Sequence, residues 1–245
     1  MIKLTAFRSM TFDCYGTLVD WEKPVGRALK SWSEREGLNT TEHQLLELFA
    51  QSEWINERAR PTQLYPEVLR RNLAGIAERL GRTVKSADQD ILLEAVRTSE
   101  PFKDTVAALK YLKQYYKLGI LSNIDNETVF DHTIPKLGVE WDLVVTAENV
   151  GAYKPDRPHF AAAMDILEKA GLRRSEMLHL GQAVLHDCCA SKAFGFGGAI
   201  WVDRYSGKEG TGAVLFAAAG CEDRKVGSLQ ELADLHRQQV RASPS

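Results

Sequence analysis

An aspartate closes the first strongly apolar run of the chain, in Thr11-Phe12-Asp13-Cys14-Tyr15-Gly16-Thr17-Leu18. A carboxylate there is costly to bury without partners, and the residues behind it are of the kind that supply them. Gly16 lets the backbone turn sharply, so amides beyond Asp13 can line a pocket. The Thr17 hydroxyl can bond the carboxylate and fix its rotamer. An aspartate held in this way can act as a nucleophile and pass through an ester intermediate. The same residues also read as an N-cap Asp ahead of a helix, and taken alone the two readings stand level. Ser122 and Asn123, at the end of another apolar run, can offer a hydroxyl, an amide and backbone N–H groups to an anion, or can simply cap a loop.

The order of the polar segments resembles the haloacid dehalogenase superfamily. Asp13-x-Tyr15-Gly16-Thr17-Leu18 is similar to its first motif and Leu121-Ser122-Asn123 to its second. Tyr153-Lys154-Pro155-Asp156 is similar to the third, and His179-Leu180-Gly181-Gln182 with Asp187 to the fourth. The likeness runs from Met10 to about Leu235. It implies Asp13 as nucleophile and Thr17 as its hydrogen-bond partner. Lys154, its position fixed by the following proline, would neutralise Asp13 and steady developing charge. Asp187 would orient or deprotonate the hydrolytic water. Ser122 and Asn123 would hold the substrate carboxylate, with Tyr15, Arg58 and Phe160 as further substrate contacts. The resemblance places a cap arginine at Ala50 or a neighbour, where Arg58 or Arg60 could substitute, and Phe160 stands where the family has a tyrosine. His186 beside Asp187 reads first as a structural or helix-capping residue, with a proton shuttle as the alternative.

The superfamily holds Mg²⁺-dependent phosphatases and dehalogenases that need no metal. Phosphatases resembling this chain carry a second Asp two residues after the nucleophile, where Tyr15 stands here, and an Asp after the fourth-motif glycine, where Gln182 stands. Mg²⁺ demands hard, anionic oxygen ligands in octahedral array, and only Asp13 and Asp187 remain. The resemblance therefore implies no metal, no cofactor, and hydrolytic dehalogenation of short 2-haloacids through an ester on Asp13. A Mg²⁺-dependent phosphatase of a small phosphate ester is the first alternative. A catalytically silent member binding a small anion or a protein is the second.

These groups need elements to carry them. Apolar runs at Ser9–Cys14, Leu118–Ser122, Leu143–Thr146, Met177–Gly181 and Ala199–Val202 alternate with helical patterns, which predicts a parallel α/β sheet with chemistry beyond the carboxyl ends of its strands. Between the first two runs the sequence is too long for one crossover. Glu42–Arg58, Pro66–Leu80 (with Gly81 as its stop) and Ser86–Val96 (with Ser86 as N-cap) read as helices. The expected fold is a Rossmann-like core, residues 1–19 and 99–240, with a helical cap, 20–98, inserted after the first strand, and a frayed tail at 241–245. The cap is either a water-excluding lid or simply a second packed unit. Trp21, Trp32 and Trp54 either shape an apolar pocket beneath it or form plain core. Asp203–Gly212 reads as a loop, and Val226–Leu232 as a strand end followed by a Ser-capped helix.

Composition bounds the rest. With 245 residues, 44% hydrophobic and 26% charged, the chain can bury a core and is not broadly disordered. Lys and Arg number 31 against 33 Asp and Glu, a charge of -2, so no basic surplus advertises nucleic acid. No apolar run approaches the ~18–20 residues that span a bilayer, and no secretory signal is visible. Cys14, Cys188, Cys189 and Cys221 show neither a disulfide framework nor zinc spacing. Cys188 and Cys189 read as small helix residues, and the expected compartment is a reducing cytoplasm. A small anionic substrate is the expected partner, and the resemblance adds a homodimer.

Overall fold

A computed structural model describes residues 2–205 and 220–242 of the chain. The main sheet is six-stranded and wholly parallel, in the order β5-β4-β1-β6-β7-β8. Its strands are β1 (Ser9–Phe12), β4 (Lys117–Ser122), β5 (Leu143–Thr146), β6 (Met177–Gly181), β7 (Gly198–Val202) and β8 (Arg224–Val226). Between β1 and β4 lie β2 (Val19–Asp20) and β3 (Glu100–Pro101), which pair antiparallel as a short ribbon. The ribbon forms the stem of a helical insertion: α1 (Glu22–Arg35), α2 (Glu42–Ala59), α3 (Tyr65–Arg79) and α4 (Ile91–Arg97). The remaining helices are α5 (Thr105–Leu112), α6 (Ile134–Leu137), α7 (Ala147–Val150), α8 (Pro158–Lys169), α9 (Ala190–Ala193) and α10 (Leu229–Ala242).

The strands are continuous apolar runs because both sheet faces are covered. Met10, Phe12, Leu118, Ile120, Leu178 and Leu180 join Leu109 of α5 and Leu232 of α10 in one core. Leu121, Val145 and Met177 pack with Phe160 and Met164 of α8 in another. The insertion has its own core, built on Leu29, Trp32, Phe49, Leu69 and Ile76, and it reaches the sheet domain through Ile124 and Tyr153. β1 lies between β4 and β6, where the strand order reverses, so its carboxyl end opens at the switch point at which ligands bind in such sheets.

Several local details differ from expectation. β1 stops at Phe12, because the Asp13 amide donates to Leu180 O at 2.8 Å as its last sheet bond before the chain turns. Ser86–Val96 is not one helix. A 3₁₀ turn at Ser86–Asp88 precedes α4, and neither start has a side-chain cap. The Asp90 carboxylate accepts from Arg70 Nε at 2.7 Å instead. Helix α1 was not foreseen, although Val25, Leu29 and Trp32 recur at helical spacing and are buried. Ser228 does cap α10, accepting from the Glu231 amide at 3.0 Å. That helix runs through Ala242, into the segment expected to fray, while 243–245 lie outside the described residues. The expected loop at Asp203–Gly212 lies outside them from residue 206 onward.

The cysteine reading is corrected outright. Cys189 and Cys221 are disulfide-bonded, with Cα atoms 4.9 Å apart across 32 residues of sequence. Spacing could not reveal this, because the turn after β6 and the approach to β8 meet only through the sheet. Disulfides mark oxidising compartments or redox-responsive pairs, so cysteine usage no longer argues for a reducing one. Among the described residues no helix is long and apolar enough to cross a membrane.

Candidate active site

The turn after β1 is set by Gly16, at φ 92°, a conformation that suits glycine alone; a Cβ there would also collide with the Gln182 side chain. Gly16 N donates to Val19 O at 2.8 Å, and the turn brings Thr17 back over Asp13. The Thr17 hydroxyl donates to Asp13 Oδ2 at 2.8 Å and accepts from the Gln182 amide at 2.9 Å. This one side chain thus ties the β1 loop to the β6 loop. Cys14 points the other way, into the core with Met10 and Phe12, as strand alternation requires.

Lys154 lies between two carboxylates. Its Nζ donates to Asp13 Oδ1 at 2.9 Å and to Asp187 Oδ1 at 2.6 Å. Lys154 is 3% exposed and Asp187 0%, so the triad sits in a low-dielectric setting where such bonds are strong. Burial alone would lower the Lys154 pKa. The two aspartates outweigh it and hold the ammonium charged far above the usual lysine range. Burial likewise opposes ionisation of Asp187, but Lys154 and His179 hold it well below the usual carboxylate range. For Asp13 burial prevails and its affinity for a proton rises, with Lys154 and Thr17 pulling the other way and Asp187 adding to the rise.

Asp187 is placed by β6. Register pairs Thr11 with His179, and Thr11 Oγ1 lies 2.8 Å from His179 Nδ1. His179 Nε2 lies 3.3 Å from Asp187 Oδ1. The tautomer that serves both bonds carries its proton on Nε2, and burial lowers the ring's affinity for a second proton, against the pull of Asp187. The Ala183 amide donates to Asp187 Oδ2 at 3.2 Å. Gly181 is needed here because any Cβ would collide with the Asp187 carboxylate.

A cavity of about 130 Å³ opens above Asp13 between sheet and insertion. Tyr15, Ser122, Asn123, Lys154 and Asp187 line it together with Asp13. Tyr15 OH is bonded to Thr133 Oγ1 at 2.6 Å. The Asn123 side chain is already engaged: Oδ1 accepts from Lys154 N at 2.6 Å, and Nδ2 donates to Lys154 O at 3.2 Å and to Glu57 at 3.3 Å. These bonds tie the Asn123 side chain to Lys154 and Glu57.

Two expected contacts are absent from the cavity wall. Phe160 is fully buried behind the sheet, packed edge-on against His179 at 5.5 Å, so a tyrosine-to-phenylalanine change at this place leaves no substrate contact. Arg58 is exposed, its guanidinium 4.7 Å from the centroid of the Trp54 ring, and it lies outside the wall. Trp21 and Trp54 do line the cavity, while Trp32 belongs to the interior of the insertion.

The insertion contributes what the sequence did not announce. Ala50, Glu53 and Glu57 of α2 and Tyr65 of α3 form the upper wall. Tyr65 OH donates to Glu53 Oε1 at 2.7 Å. Burial, with Asp13 nearby, pushes the Glu53 carboxyl up to about 7 despite that bond. Burial and Glu53 push Glu57 well above the usual carboxylate range, against Lys154 and Asn123. A signal was present: Leu46, Phe49, Glu53 and Glu57 follow helical spacing along one side of α2, so its apolar stripe ends in carboxylates. His186 also reaches the wall, 5.1 Å from the Trp54 ring, and its Nε2 has no hydrogen-bond partner among the described residues. Burial pushes its pKa down to about 4.

The donor set does not suit a divalent cation. The Lys154 ammonium occupies the place between the two aspartates, Tyr15 OH is spent on Thr133, and among the described residues no three His, Cys, Asp or Glu side chains are grouped to hold a metal.

The haloacid dehalogenase-like hydrolase family matches this sequence over residues 7–195. The chain belongs to that family. Among curated relatives, the (S)-2-haloacid dehalogenase of Pseudomonas sp. (strain YL) is 25% identical over 235 residues, 93% of this chain and 94% of that one. The rhythmically expressed gene 2 protein of Drosophila melanogaster is 25% identical over 222 residues, 82% of this chain and 85% of that one. Among solved structures, the L-2-haloacid dehalogenase of Xanthobacter autotrophicus with chloropropionic acid covalently bound superposes with a TM-score of 0.74 at 20% identity, covering 94% of this chain and 98% of that one. This haloacid dehalogenase-like hydrolase shares the fold of that solved structure over nearly the whole of both chains.

Proposed function

We propose that the protein hydrolyses a carbon–halogen bond next to a carboxylate through an ester on Asp13. The observation that carries this is the buried chain from Thr17 through Asp13 and Lys154 to Asp187, whose bonds of 2.8, 2.9 and 2.6 Å aim one carboxylate into the cavity. Likeness to haloacid dehalogenases, one of which holds chloropropionic acid covalently, supports it.

In the first step an Asp13 oxygen attacks the carbon bearing the halogen from the side opposite the halide. A C–O bond forms, the C–X bond breaks, and the electron pair leaves with the halide. In the second step water adds to the Asp13 carboxyl carbon. The ester collapses to a hydroxyacid, the Asp13 carboxylate returns, and one proton is released. Both Asp13 oxygens have a donor, so the oxygen outside the new bond keeps Thr17 or Lys154 to stabilise its charge. Asp187 is ionised but held by Lys154, His179 and the Ala183 amide. Its depressed pKa makes it a better acceptor to orient water than a strong base. Ser122, at the carboxyl end of β4 and in the wall, receives the substrate carboxylate.

Single turnover of 2-chloropropionate in ¹⁸O water, with EDTA present, tests this. Chloride release together with ¹⁸O in Asp13 is the expected result. Turnover without label in Asp13 rejects the ester, and activity on phosphate esters that EDTA abolishes rejects the carbon–halogen reading.

A further inference from the structure

The two walls of the cavity are chemically unlike. On the sheet side the Lys154 charge is matched by Asp13 and Asp187. On the insertion side stand Glu53 and Glu57, one helical turn apart on α2, and no arginine or lysine pairs with either among the described residues. Their bonds come from neutral donors, Tyr65 OH to Glu53 and Asn123 Nδ2 to Glu57. Tyr15, Trp21, Trp54 and Tyr65 place aromatic rings around the same space. Carboxylates flanked by aromatic faces are how proteins hold organic cations. A substrate carboxylate turned toward this wall would meet no cation of the insertion, and would face like charge in a low-dielectric space whenever Glu53 or Glu57 is ionised.

We propose that the end of the substrate facing the insertion carries a protonated amine, held between Glu53 and Glu57. The inference rests on the reading of Asp13 as nucleophile in the same cavity and extends it to the substrate's far end. The substrate class is then a small 2-haloacid bearing an ammonium group: the reacting carbon over Asp13, the carboxylate toward Ser122, the ammonium toward α2. Ala50, a small side chain in the same wall, leaves room on that side. Burial raises the pKa of both carboxyls, that of Glu53 to about 7, and an arriving ammonium displaces the proton. Binding therefore strengthens as pH rises, with Tyr65, Tyr153, Asp13, Asn123 and Lys154 among the groups facing the pair.

The test compares 3-amino-2-chloropropanoate with its near-isostere 2-chlorobutanoate on the full chain at pH 8. The amine-bearing substrate is expected to release chloride with kcat/KM on the order of tenfold to a hundredfold higher. In Glu53→Gln/Glu57→Gln that ratio falls to about one. Equal kcat/KM for the two substrates in the unaltered protein overturns the proposal. A second readout needs neither chemistry nor a variant: thermal shift with the unreactive pair 3-aminopropanoate and butanoate, and with MgCl₂. Stabilisation by 3-aminopropanoate alone, more at pH 8 than at pH 5.5, supports the ammonium site. If that shift appears while neither chloro compound is turned over, the ammonium site stands and the carbon–halogen reading falls. Butanoate stabilising equally, MgCl₂ alone stabilising, or no shift with any probe overturns the ammonium site.

Discussion

Asp187 on the sheet-side wall and Glu53 and Glu57 on the insertion-side wall of one cavity are held in opposite ways. Asp187 lies beside an ammonium and a histidine N–H, so its charge is stabilised by folding. Glu53 and Glu57 accept hydrogen bonds from neutral donors among the described residues, and burial outweighs the pull of Lys154 on Glu57, so folding opposes their charge. The same residue chemistry is thus fixed in one state on one wall and left ready to change on the other. Catalytic charge belongs where it must not vary, and recognition of a variable ligand belongs where the ligand itself completes the pairing.

The contrast is broken most severely from the sheet side. Asp13→Asn is expected to remove halide release, a loss on the order of 10⁴-fold or more, with no ester found by mass spectrometry. Turnover within tenfold of the unaltered protein would remove Asp13 from the chemistry. Lys154→Met leaves Asp13 and Asp187 facing each other without their cation. A loss on the order of 10³-fold in kcat/KM is expected, with about 3–5 kcal/mol of stability lost at neutral pH. Denaturant unfolding and steady-state kinetics measure both.

Next in size is the disulfide that joins the Asp187-bearing turn to the approach to β8. Cys221→Ser is expected to lower stability by roughly 2–4 kcal/mol for a closure of 32 residues. Thermal melting with and without reductant checks this, and a variant indifferent to reductant but as stable as the parent would contradict it.

Asp187 and Glu53, on opposite walls, should also respond to pH with opposite signs. Asp187 has a folded pKa below its unfolded one, so its contribution is present above about 4 and is lost as pH falls toward its folded value. Lys154, raised, contributes below about 10.5 and loses that contribution as pH rises through its folded value. Glu53 is raised from 4.5 to about 7, so it adds no penalty below 4.5 and a growing one up to about 7. Glu53→Gln is therefore expected to gain about 1–3 kcal/mol at pH 8 and nothing at pH 4.5. A gain that does not depend on pH would show that Glu53 is not held protonated. The smallest effect belongs to the rim: Arg58→Ala should change kcat/KM by less than about threefold, since Arg58 stacks on Trp54 outside the wall.

Much of this was legible in the chain. Leu143–Thr146 and Met177–Gly181 are strands at the expected residues, because a strand buried on both faces reads as an uninterrupted apolar run. Thr17 and Asp13 lie close in sequence, and their bond follows from the turn at Gly16. Phe160 misled because a motif position names a place on α8, not the direction in which its side chain packs. Asn123 misled because its amide has partners on the Lys154 backbone and on α2, neither visible from the strand that carries it. Glu53 and Glu57 were overlooked because charged residues at the edge of a helical stripe read as solvated until another surface covers them.

By itself the sequence determined which strand ends hold the polar residues and which turn holds the nucleophile. Both depend on near neighbours, alternation and backbone conformations that only glycine adopts readily. Only the tertiary structure decided what faces Asp13 across the cavity and which cysteines pair. Those contacts join segments far apart in the chain, and their sign is set by burial, which turns the same carboxyl group into an ion beside Lys154 and a proton holder beside Tyr65.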